Sequence, residues 1–107
     1  MRIVQTPFAT LLALTVVSGA RAAATFETAA LRDLQTTLDQ YRADGDVAGE
    51  IDTLIQRGRL QQSLGGLRQA IADLALATEL AASAGYERKA LLAKVFLTNA
   101  KLTRGDD

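Results

Sequence analysis

GDVAGEIDTLIQRGRLQQSLGGLRQAIADLALATELAASAG, residues 45–85, is the stretch that decides the fold. Glycine opens it at 45, recurs at 65 and closes it at 85, and the same interval of twenty leads on to Gly105. Between these boundaries the chain has no Pro and is rich in Ala, Leu, Gln and Arg, all good helix formers. Glycine at each boundary suits the left-handed backbone that ends a helix. An interval of this size holds a helix of about four and a half turns plus a short connection.

The apolar spacing is helical throughout. Val47, Ile51, Leu54, Ile55 and Gly58 recur at steps of three and four, and Leu67, Ala70, Ile71, Leu74, Ala77, Thr78 and Ala81 form a broad small-residue stripe. Working outward, Leu31, Leu34, Leu38 and Tyr41 mark a preceding helix, and Leu91, Leu92, Val95, Phe96, Asn99 and Leu102 a following one. The pattern predicts helices over about 27–43, 46–64, 67–84 and 87–104. Leu60 and Leu97 fall off the main stripes, as expected where helices are buried on two sides of a stacked array. A closed four-helix bundle is the alternative that periodicity alone leaves open.

Comparing the chain with itself at an offset of forty favours the array. Ala30 matches Ala70, Asp33 matches Asp73, Leu34 matches Leu74, Gly45 matches Gly85 and Gly65 matches Gly105, with Ile51/Leu91 and Ile55/Val95 as conservative pairs. The expected fold is all-α: antiparallel helical hairpins, one per forty residues, stacked as a short superhelix.

Leu54-x3-Gly58, followed by Gly65-Gly66-Leu67-x2-Ala70-Ile71-x2-Leu74-x2-Ala77, resembles a tetratricopeptide repeat, and the resemblance extends over residues 27–107. It implies that Gly58, midway along a first helix, lets the second approach closely, with Ala70 and Ala77 at the tight contacts and bulky Leu74 between them. Gln61 stands where the family commonly has an aromatic, Leu74 replaces another, and the Pro that usually ends the second helix is missing. The unit is also longer than the usual length of about thirty-four. In this it is similar to the extended variety found in large bacterial regulators and in proteins that couple repeats to a caspase-like peptidase (CHAT) domain. On that frame 27–43 is a second helix lacking its first, 46–64 and 67–84 form a complete hairpin, and 87–104 is a first helix whose partner would begin at Arg104-Gly105-Asp106-Asp107. The array is thus expected to be incomplete at its C-terminal side: a piece of a longer protein, or a subunit completed by a partner. A self-sufficient four-helix domain is the other reading.

The first residues pose a different problem. MRIVQTPFATLLALTVVSGARAAA, residues 1–24, has Arg2, an uncharged apolar run from Phe8 to Val17, and then small-x-small triplets such as Ala20-Arg21-Ala22. This is the layout of a secretory signal peptide, assigned here to residues 1–22, with the repeat domain at 25–107. A retained anchor helix is the alternative, but Gln5, Thr6, Pro7, Thr10 and Thr15 dilute the span. The expected product is exported, periplasmic or secreted, without stable membrane insertion after cleavage.

Composition narrows the chemistry. The chain of 107 residues has no Cys, His or Trp, which excludes a zinc finger, a Cys nucleophile, a Ser-His-Asp triad and a disulfide framework. Twelve basic residues balance twelve acidic ones, so no electrostatic term favours nucleic acid. Asp46 with Glu50 reads as a helix N-cap and first-turn acid rather than as a catalytic pair. Asp44-x-Asp46 lacks the spread of ligands that a calcium loop needs. Gly65-Gly66 is no phosphate loop, because no strand precedes it and no Lys-Ser/Thr follows. Neither enzymatic activity nor a cofactor is expected.

What remains is a groove. In the tetratricopeptide family the first helices of successive hairpins line a concave face that holds peptide segments. The resemblance directs attention to Asp52, Arg59 and Gln62 on one such helix, and to Asn99, forty residues beyond Arg59, on the next. An Arg and an Asn on one face suit a peptide carboxylate or backbone. The expected function is protein–protein interaction or scaffolding by peptide capture. The alternative is an N-terminal repeat region of a larger exported protein with an effector such as a CHAT peptidase.

Overall fold

The computed structural model describes residues 19–105, with side chains from Thr28 onward. Among the described residues there are four helices and no strand: α1 (Gly19–Asp44), α2 (Val47–Ser63), α3 (Leu67–Ala84) and α4 (Glu87–Arg104). The fold is all-α, with the helices packed against one another as successive hairpins. The chain divides into two compact units, Met1–Ala30 and Leu31–Asp107, and the packing described below belongs to the second. Most of the expected signal segment lies outside the described residues. Its last residues are helical: α1 is already helical at Gly19, the first described residue, rather than from near 27, and runs through Ala20–Ala24 where cleavage was expected.

The helices end where the glycines fall. Gly45, Gly65, Gly85 and Gly105 have φ of 70°, 86°, 81° and 96°, the left-handed region that costs other residues roughly 1–2 kcal/mol. After α3 the N–H of Gly85 donates to the Ala82 carbonyl at 3.3 Å and that of Tyr86 to the Ala81 carbonyl at 2.8 Å, reversing the chain within two residues. Asp46 N–H to Tyr41 O at 2.9 Å and Gly66 N–H to Gln61 O at 2.8 Å repeat the device after α1 and α2. Asp46 then caps α2, its carboxylate accepting from the Gly49 N–H at 2.9 Å.

Leu38, Ile51, Leu54 and Leu74 are the largest fully buried side chains, and they share one core with Ala77, Ala81, Ala93 and Ala100. Small residues set how near the helices lie. A β-carbon at Gly58 would stand 2.8 Å from Leu74 Cγ and 3.3 Å from the Ala70 carbonyl oxygen, so α2 and α3 are in contact at that point with no room for a side chain. One at Gly49 would collide with the Tyr41 ring, which seats α1 on α2.

The expectation for the last helix needs correcting. Leu91, Leu92, Val95 and Leu102 do not form its buried stripe: they are 65%, 49%, 63% and 67% exposed. Its inner side is made by Ala93 and Ala100, fully buried, with Ala90, Phe96 and Leu97 packed against the core. The core it joins is built from Ala77 and Ala81 on α3, and close approach of two helices selects small side chains rather than bulky ones. Among the described residues no helix is long and apolar enough to cross a membrane.

Candidate functional site: the face shared by α2 and α4

Two side-chain pairs bridge α2 and α4. Lys89 Nζ donates to Asp52 Oδ1 at 2.7 Å, and the Arg59 guanidinium carbon lies 4.5 Å from the centre of the Phe96 ring. Both pairs join residues 37 apart, and moving from the first to the second advances seven residues on each helix. The two helices are therefore parallel and in register along this face, as first helices of successive hairpins would be.

That register places the four sequence candidates. Asp52 and Arg59 meet α4 directly, at Lys89 and Phe96. Gln62 and Asn99 are separated by the same 37 positions and so stand at the next step of the row. Asn99 is exposed and its carbonyl accepts from Thr103 Oγ1 at 2.9 Å, while Gln62 is half-buried in the last turn of α2. The residue on which Arg59 stacks is Phe96, three positions before its repeat equivalent Asn99. A repeat of forty residues identifies equivalent positions, whereas the contact register is three residues shorter, and it brings Phe96 under Arg59. Lys89 and Phe96 were the members of this face that the sequence reading did not single out.

The electrostatics of the two bridges differ. Asp52 and Lys89 form an exposed ion pair, of a kind worth about 0–1 kcal/mol. Arg59 is exposed, has no carboxylate partner among the described residues, and is held by its stack on Phe96, an interaction of roughly 0.5–1 kcal/mol. A guanidinium fixed by its face keeps its N–H edges free to donate to a carboxylate or to backbone carbonyls. A pocket of about 440 Å³ opens beside this row at the α3–α4 turn, lined by Gly85, Tyr86, Glu87, Arg88 and Lys89.

Behind the face lies a polar cluster of a different kind. Arg57 grips Asp73 with two parallel hydrogen bonds, Nε to Oδ2 and Nη2 to Oδ1, both at 2.8 Å. The side chains of the pair are only 17% and 10% exposed. Arg57 Nη1 also donates to Gln35 Oε1, and the Gln61 amide, with its nitrogen turned inward, donates to Asp73 Oδ2 at 2.8 Å. The bonds to Asp73, opposed by burial, hold Arg57 above its already high ordinary pKa, so it is charged at any working pH. With both oxygens of its carboxylate engaged by α2, Asp73 joins α3 to α2, and Arg57 carries the link on to Gln35 of α1. The signal in the sequence was Asp73 alone among Ala70, Ile71, Ala72, Leu74, Ala75, Leu76 and Ala77, since an acid in an apolar run needs a partner.

Ala70, Leu74 and Ala77 are each fully buried on α3, with Gly58 facing Ala70 and Leu74 from α2. Among the described residues no three acidic side chains gather where a metal ion could sit. No family model, curated protein or solved structure matches this chain.

Proposed function

We propose that the chain is a protein–protein interaction module, tetratricopeptide-like in design, that holds an extended acidic peptide segment along the α2–α4 face. The observation that carries the reading is Arg59: exposed, stacked on Phe96, and without an acidic partner among the described residues. Ordering a free arginine side chain on binding costs up to about 2 kcal/mol, and a stack that already orders it removes part of that cost. Asn99 and Gln62, level with each other one turn on, supply amide groups that pair with a peptide backbone. Scaffolding by peptide capture needs no cofactor and no catalytic group. Export through cleavage after the first two dozen residues belongs to the same proposal, and a natural product lighter than 11.4 kDa in the cell-envelope fraction is its sign.

The test is a panel of fluorescent extended peptides with and without acidic residues, titrated with the chain. Acidic members should bind, and changing Arg59→Ala and Asn99→Ala together should weaken them by about tenfold or more, the usual worth of a charged hydrogen bond. Unchanged affinity in the double variant would sink the reading.

A further inference from the structure

The outer face of α4 is a second surface, separate from the α2–α4 row. Leu91, Val95 and Leu102, at steps of four and seven, fall on one side of the helix and are 65%, 63% and 67% exposed. From Leu91 to Leu102 the line is about 16 Å long at 1.5 Å per residue. Leu91, Lys94, Val95 and Thr98 line a shallow, open depression of about 340 Å³ in it. The described part of α1, at the other end of the row, differs. The exposed side chains of α1 between residues 32 and 42 are Arg32, Asp33, Gln35, Thr36, Thr37, Asp39, Gln40 and Arg42, all of them polar.

Charge decides what fits. α4 carries Arg88, Lys89, Lys94, Lys101 and Arg104 against Glu87 alone. Lys89 is engaged by Asp52, but Lys94 and Lys101 make no ion pair with a described residue, and at a spacing of seven they run along one edge of the apolar line. Arg88 continues the line at its N-terminal end, one heptad before Val95. A second copy brought face to face would set these cations against their own kind. A bilayer surface is flat and leaves the depression unfilled, and the stripe has none of the aromatic residues that favour seating in a lipid interface.

We propose that this face docks an amphipathic helix of a partner protein whose apolar ridge is flanked by Asp or Glu. The ridge places one apolar side chain in the depression, and its acids meet Lys94 and Lys101. The site is independent of the α2–α4 row and stands or falls apart from it.

The probe is a synthetic helical peptide of about five turns with Leu at heptad spacing and Glu along both edges, compared with the same peptide bearing Lys for Glu. Binding to the full chain is read by fluorescence anisotropy at low and physiological salt. The Glu peptide should bind at least about tenfold more tightly than the Lys peptide, and lose affinity as salt rises. Leu91→Gln with Val95→Gln should weaken it by about tenfold, with helicity unchanged because both positions face water. Lys94→Glu with Lys101→Glu should invert the preference between the two peptides, and Arg59→Ala should leave it alone. Equal binding of both peptides, or binding of neither, overturns the proposal. So does a dimer abolished by Leu91→Gln with Val95→Gln. Adsorption to phosphatidylglycerol vesicles through these residues, without peptide binding, overturns it as well.

Discussion

At the junction of α2 and α3 the smallest side chains do the most. Gly58 lies against Leu74 and the Ala70 carbonyl, Ala70 and Ala77 are fully buried, and the charged pair Arg57–Asp73 is closed in beside them. On α4, by contrast, Leu91, Leu92, Val95 and Leu102 stand largely in water, and of its large aliphatic side chains Leu97 packs against the core. The difference shows that hydrophobic size does not select the buried face; the distance of closest approach does. A leucine that stays exposed contributes nothing at roughly 25 cal/mol per Å², whereas a glycine in the right place lets two whole helices bury their flanks. Three experiments bear on this contrast.

The largest effect should come from the charged pair. Arg57→Ala leaves Asp73 buried without its cation, and removal of one partner from a buried pair costs about 3–5 kcal/mol. Against a total stability on the order of 5–15 kcal/mol for a domain of ordinary size, the variant should show a large fall in its urea midpoint by circular dichroism. Replacing both members together, Arg57→Met with Asp73→Leu, should recover most of the loss or exceed the parent. If Arg57→Ala alone costs less than about 1 kcal/mol, the cluster is open to water and the contrast with α4 weakens.

Gly58→Ala should come next. Its new methyl meets Leu74 Cγ at 2.8 Å, and Leu74 is fully buried, so one of the two helices has to move. Overpacking of this kind costs about 1–3 kcal/mol. The sharper form is the double change with Leu74→Ala, which alone costs about 2–5 kcal/mol by leaving a cavity. The added methyl partly fills that cavity, so the double variant should lose less than the two single losses added together. Strict additivity in urea denaturation would mean that the two positions are not in contact.

Much of this molecule was legible before its structure, and the illegible parts have physical causes. Helix ends were marked by Gly45, Gly65, Gly85 and Gly105, because positive φ is a local property that glycine announces. Asp46 was readable as a cap because an N-cap is also local, its side chain accepting from an N–H three residues on. The helicity of Gly19–Phe26 was not, since Ala and Arg there have good helix propensity but no apolar stripe marks them as part of α1. The two sides of α4 could not be told apart, because both present apolar residues at helical spacing and only the partner's alanines decide which turns inward. Asp52, Arg59 and Gln62 were singled out by helical spacing within the family resemblance and Asn99 by the forty-residue offset, but Lys89 and Phe96 depend on a contact register that the repeat length does not contain.

The smallest expected effect is the one that tests the contrast most directly. Leu91→Ser and Leu102→Ser remove two large apolar side chains that are 65% and 67% exposed, and each should change stability by no more than about 0.5 kcal/mol. Serine has a lower helix propensity than leucine, so a small loss is expected even where no contact is broken. That small loss should be the same at every protein concentration, because a face that touches only water gains nothing by mass action. A loss above about 2 kcal/mol that grows with protein concentration and shrinks on dilution has another cause: stability drawn from assembly through this face. In that case α4 is buried on both sides in the working molecule, and its bulky stripe and the small-residue junction of α2 and α3 become two versions of one packing problem.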